Sequence, residues 1–220
     1  MFQYEDLQKT IFDFSYGGAL GDAIGQRAFE GNKKPLRRHE DAKKIARAYI
    51  DQLMAGEEPD FYKTAEALEA SFQQYIRKHK ADIVYEKDGK PSDPIFRFGN
   101  AQKLLNMLAK NMFLLAYRDE SLRDKFVNCH CPMDNIMIDT VKKELKQLGD
   151  EKAKELLRAY NASGKAAWSR IEKENVTQYE CFQACVRYLA KQEGLSPIEY
   201  DYWMWKKASP EDEVSQDAPV

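Results

Sequence analysis

The chain has 220 residues, 43% of them hydrophobic and 12% aromatic, with 34 basic against 36 acidic side chains. That balance excludes a disordered chain and leaves enough length for a real core. No apolar run reaches the roughly 20 residues that a membrane span requires.

The opening "MFQYEDLQKTIFDF" is amphipathic and carries early acids, unlike a signal or transit peptide. The expectation is a cytoplasmic protein with no membrane partner, whose four cysteines are reduced thiols. Helical periodicity then dominates. Residues 5–27 read as a helix with Gly17, Gly18, Gly21 and Gly25 on one face, suited to close packing against a neighbour. Lys33, Lys34, Arg37 and Arg38, followed by Lys43, Lys44 and Arg47, concentrate positive charge, either as a phosphate-facing patch or as a solvated face. Residues 38–55 predict a helix with Ile45, Ala48, Tyr49 and Leu53 at helical spacing, stopped by Gly56. Residues 60–79 predict another, with Phe61, Ala65, Leu68, Phe72 and Ile76 on one face.

"KADIVYEKDGKPSDPIFRF" breaks the pattern, and its Asp-Gly pair and two prolines make a loop or a short hairpin. From Gly99 to Tyr117 comes the most apolar helix, the expected centre of the fold, carrying Lys103, Asn106, Lys110 and Asn111. A short helical piece (119–127) and helices over 134–148, 150–161, 176–192 and 196–207 follow, the last with Pro197 at a first-turn position after Ser196. The class is all-α: one helical domain over 1–206, then an acidic tail over 207–220 that is expected to be disordered.

Three sets of residues carry candidate chemistry. Cys129, His130 and Cys131 with Cys181 and Cys185 have the donor types of a zinc site. Cys-x-Cys lacks the two-residue knuckle of common zinc ligands, however, and Cys181 and Cys185 sit among Phe182, Ala184 and Val186 as buried thiols do, so no metal is assigned. "GGALGDAIG" (17–25) is similar to the opening helix motif of ADP-ribosylglycohydrolases, where an acidic residue, here Asp22, helps hold magnesium. That family's second carboxylate cluster is represented only by "IDTV" at 138–141. The third set is Lys103 and Asp134. A lysine in the first turn of an apolar helix can emerge at a cleft, where desolvation makes it a nucleophilic amine suited to Schiff-base chemistry. Asp134, behind Pro132 and before an apolar helical run, is a good N-cap and a carboxylate held ionised by the helix dipole.

"AQKLLNML" (101–108), "PMDNIMIDTVKKELKQLG" (132–149) and "SPIEYDYWMW" (196–205) stand in the order of three segments of the helix-hairpin-helix DNA glycosylases. Together they resemble the 8-oxoguanine DNA glycosylases of archaeal type. The resemblance implies a two-lobed helical fold, with lobes of about 1–97 and 98–206. It also implies a monomeric glycosylase with lyase activity that needs no cofactor and excises an 8-oxoguanine-like base flipped from double-stranded DNA, in repair or phage defence. Lys103 would attack the sugar C1′ and Asp134 would assist; Met107, Asp201 and Trp205 would form the base pocket. Gly99 and Asn100 would belong to the hairpin that meets phosphate, with Lys33, Lys34, Arg37 and Arg38 as further DNA contacts. Gly99 stands alone where that family has Gly-x-Gly, Met107 replaces an aromatic, and a net charge of −2 is low for a duplex binder. Two other classes stand beside this reading: a catalytically silent helical binding module with Lys103 facing solvent, and an ADP-ribosyl hydrolase using Asp22 and magnesium.

Overall fold

The computed structural model describes residues 4–24, 36–79, 85–87, 90–92 and 95–208. Helices α1 (Tyr4–Ala23), α2 (Glu40–Ala55) and α3 (Phe61–Lys78) precede strands β1 (Tyr85–Lys87) and β2 (Lys90–Ser92), which pair antiparallel with Tyr85 opposite Ser92. Then come α4 (Phe98–Ala116), α5 (Glu120–Arg123) with a 3-10 turn (Asp124–Phe126), α6 (Asn135–Leu148) and α7 (Glu151–Ser163). Two 3-10 turns (Trp168–Arg170 and Lys173–Asn175) lead to α8 (Thr177–Gln192) and α9 (Pro197–Ala208). Among the described residues the fold is all-helical apart from that hairpin. The expected Asp-Gly turn at 88–89, Gly25, Lys33, Lys34 and the tail beyond Ala208 lie outside the described residues.

Helix α4 is the centre, as its all-round apolarity predicts: 14 of its 19 residues are buried. α1 runs antiparallel along it, with Asn100 Nδ2 donating to Ala23 O and Asn111 Nδ2 to Ser15 O. The face of α1 that packs is Phe12, Tyr16, Leu20 and Ala23, not the glycine face. Gly17 meets open space, and Gly18 has only the Asn111 amide near it, 3.8 Å from where a Cβ would stand. Burying two rings and a leucine removes far more apolar area from water than packing glycines does. In α2 the buried stripe is Ala42, Ala46, Tyr49, Ile50 and Leu53, turned from the predicted one so that Ala48 is exposed. The stripe predicted for α3 is the one observed.

Helix ends follow local chemistry. Gly56, at φ 79°, closes α2 in the left-handed conformation that favours glycine. Asp60, Asp134 and Asp150 each cap the helix that follows by accepting a backbone N–H. At α9, Ser196 N–H donates to Glu199 Oε2 and Glu199 N–H to Ser196 Oγ, a reciprocal capping box around Pro197. α4 begins at Phe98, where Arg97 N–H donates to Asn100 Oδ1, so Lys103 lies in the second turn and not the first. One hydrophobic cluster joins residues from α1 to α9.

Candidate active site

Three buried glutamines shape the site. Gln183 on α8 accepts from Cys131 N–H (3.1 Å) and donates to Cys131 O (2.7 Å). Gln102 on α4 donates to Met133 O (3.2 Å), with its Oε1 3.5 Å from Met133 N. Each side-chain amide imitates a neighbouring strand, so the irregular segment 131–134 keeps its backbone groups paired inside the protein. Gln178 does the same for Ala166 in the loop after α7. The first two clamps deliver Asp134; the third steadies the loop that carries Trp168.

Asp134 meets Lys103 where these pieces converge. Lys103 Nζ donates to Asp134 Oδ2 at 2.6 Å, with the two side chains 8% and 15% exposed. Asp134 Oδ1 accepts from Met137 N–H at 2.9 Å, so cap and ion pair use different oxygens. The Trp168 ring centre lies 6.0 Å from the same ammonium. Two turns along α4, Lys110 forms a second ion pair, with the fully buried Asp201 of α9. Lys110 Nζ stands 4.5 Å from the Tyr202 ring centre and 5.5 Å from that of Trp205, within cation–π range.

Lys103, Met107 and Lys110 recur at i, i+4 and i+7 and so form one stripe. Both ion pairs act on the fully buried Cys131 thiol, which burial pushes well above its ordinary pKa. Burial also raises the Asp201 carboxyl above the usual range, against the pull of Lys110 and with a further push from Asp134. Asp201 Oδ1 has no hydrogen-bond partner among the described residues. That is an acceptor buried at a cost unless something donates to it.

Of the residues singled out from sequence, Lys103, Asp134, Asp201 and Trp205 come together around this stripe. Met107 lies on it half-buried, and Trp205 is 38% exposed. Gly99 and Asn100 turn inward. Gly99 N–H donates to Ile171 O, and a Cβ there would stand 1.9 Å from Trp168 O, so only glycine allows this approach. Asn100 N–H donates to Arg97 O, and its side chain links Arg97 N–H to Ala23 O. The backbone N–H of each residue is thus already paired within the protein. Contrary to the expectation that they meet phosphate, both residues lie in the buried first turn of the central helix.

The basic run divides. Lys43 pairs with Asp13, Lys44 with Asp41, and the Arg47 guanidinium lies 3.9 Å from the centre of the Phe12 ring. Arg37 and Arg38 are exposed. Arg37 Nη2 reaches Gly21, near the end of α1 that meets the start of α4. Asp22 is exposed at the end of α1, and no group of three or more His, Cys, Asp or Glu among the described residues could hold a metal. The sequence points to Lys103 ahead of Lys110 and gives no role to Trp168 or the glutamines; a seven-residue lysine spacing and glutamines inside apolar stretches were the available signals.

Fold and site together define an all-helical protein with two lysine–aspartate pairs along its central helix. Set against family models, curated proteins and solved structures, the chain matches none of them.

Proposed function

We propose that the protein is a DNA glycosylase with a lyase step, acting on a modified base flipped out of duplex DNA. The observation that carries this reading is the Lys103–Asp134 pair, an amine 2.6 Å from a carboxylate, with both groups mostly shielded from water. Asp134 Oδ2 takes a proton from the ammonium and frees the lone pair on Lys103 Nζ. That pair forms the bond to C1′ while the glycosidic C1′–N bond breaks, and its electrons leave with the base, which gains a proton. Opening of the sugar ring then gives an imine. Loss of a C2′ proton expels the 3′-phosphate and cuts the strand.

The second pair suits the departing base. The exposed Trp205 ring offers a stacking face, and behind it Lys110 pairs with the buried Asp201, whose Oδ1 still lacks a donor. 8-Oxoguanine carries an extra carbonyl acceptor next to an added ring N–H donor, which complements such a pair. Exposed Lys165 and Arg170, on the loop that carries Trp168, and Arg37 and Arg38 are the cations available for phosphate.

Borohydride reduces an imine to a stable link. The protein incubated with borohydride and duplexes that each carry one modified base, 8-oxoguanine first, is expected to give a covalent protein–DNA species. Lys103→Ala and Lys103→Gln should each abolish it. Crosslinking that persists without Lys103 would defeat the mechanism, and no crosslink or base release with any of the duplexes would make a helical binding module the better account.

A further inference from the structure

A cavity of about 340 Å³ opens between the end of α2, the start of α3 and the loop after α5. That volume is in the range of small-ligand sites. Its inner wall includes Tyr49, Leu53 and Phe61, all buried, and the His130 ring, whose centre lies 4.5 Å from that of Phe61. Exposed Glu57, Glu58 and Asp124 stand at the rim. The one lysine of the lining, Lys125, donates its ammonium to Met54 O. The opening is therefore acidic, and it disfavours phosphates.

The polarity of His130 follows from its neighbours. Asn106 Nδ2 donates to Gln102 Oε1 (3.0 Å) and Tyr179 Oη (2.8 Å), which fixes that nitrogen as the amide's donor end. Tyr179 thus accepts from Asn106 and has one proton to give. It gives that proton to His130 Nδ1, 2.9 Å away. Burial keeps the imidazole neutral, so its own proton sits on Nε2. Nε2–H has no acceptor among the described residues, and the half-buried His130 stands in the cavity wall. A buried relay therefore ends at a donor side chain that lines an aromatic cavity the Lys103 chemistry does not use.

We propose that this cavity binds a small aminated heteroaromatic ring of nucleobase size. A ring nitrogen or carbonyl accepts from His130 Nε2–H, the ring lies against Phe61 and Tyr49, and the exocyclic amine donates to Glu57 or Glu58. The proposal does not rest on the glycosylase reading.

Adenine and cytosine titrated into the full chain, with the imidazole NMR signals of its three histidines followed, test it. The expected result is a saturable shift of His130 while His39 and His79 stay still, with adenosine monophosphate and toluene binding more weakly. Glu57→Gln combined with Glu58→Gln alters only exposed groups and should weaken binding about tenfold. His130→Phe, which lacks the reporting imidazole and is therefore followed by calorimetry, should bind neither base, and Trp205→Ala should leave the His130 shift unchanged. The proposal is overturned if neither base gives a saturable shift or toluene binds as well as adenine. It is also overturned if binding is lost with Trp205→Ala yet kept in the double glutamine variant, which would assign the base to the lysine stripe instead.

Discussion

At Asp134 two roles rest on two atoms. Oδ1 accepts from Met137 N–H and Oδ2 from the Lys103 ammonium. Asparagine caps a helix about as well as aspartate, but gives Lys103 no carboxylate. For the proposed glycosylase step, Asp134→Asn is therefore expected to slow base release about a hundredfold or more, the scale of one lost acid–base group. Asp134→Ala should lose the same activity and about 1 kcal/mol more stability, because the cap goes too. Single-turnover base release alongside urea denaturation measures both; an asparagine variant as active as the parent would reduce Asp134 to a cap. Lys103 and Asp134 were legible in the sequence because each stands near a helix start, where local signals are strong. The pairing of Lys110 with Asp201 was not, since a lysine in an apolar helix reads the same whether it snorkels to water or pairs with a residue on α9.

Between elements, the glutamine clamps do what no regular pairing could. The segment 131–134 is neither helix nor strand, yet Cys131 and Met133 are fully buried. Gln183→Leu would leave Cys131 N–H without its acceptor and remove the shorter of the two bonds to Cys131 O. A buried donor without a partner costs about 1–3 kcal/mol, so the variant should lose about 2–4 kcal/mol once the carbonyl is included. Urea denaturation at neutral pH measures it, and a loss below about 1 kcal/mol would mean that other contacts hold the segment. The same clamp ties α8 to the loop that presents Asp134, so on the proposed glycosylase reading the variant should also slow base release beyond what its lower stability explains.

Across the whole molecule, stability should depend on pH through buried histidine. Burial lowers His130 from 6.5 to about 4, and lowers His39 as well. Between those two values the unfolded chain binds a proton at His130 that the folded chain refuses. Stability is therefore full above about pH 6.5 and declines as pH falls towards 4. From pH 7 to 5 the His130 share of the loss is about 2 kcal/mol, with His39 adding in the same direction. Thermal unfolding over that range should show a falling Tm, and His130→Gln should flatten the slope. A parent Tm that does not change from pH 7 to 5 would contradict the buried neutral imidazole.

Local rules carried much of the fold. The α3 stripe from Phe61 to Ile76, the Asp134 cap and the Gly56 stop all depend on local sequence, and all are observed as predicted. Where a helix could bury either of two faces, as α1 and α2 could, the outcome depended on which neighbour offered more apolar area. Gly99 and Asn100, expected to face phosphate, are enclosed because α1 and the Trp168 loop close over the start of α4. The ion pairs belong to the same class. A lysine can remain in an apolar interior only when a carboxylate arrives from far along the chain, and packing alone brings Asp134 to Lys103 and Asp201 to Lys110.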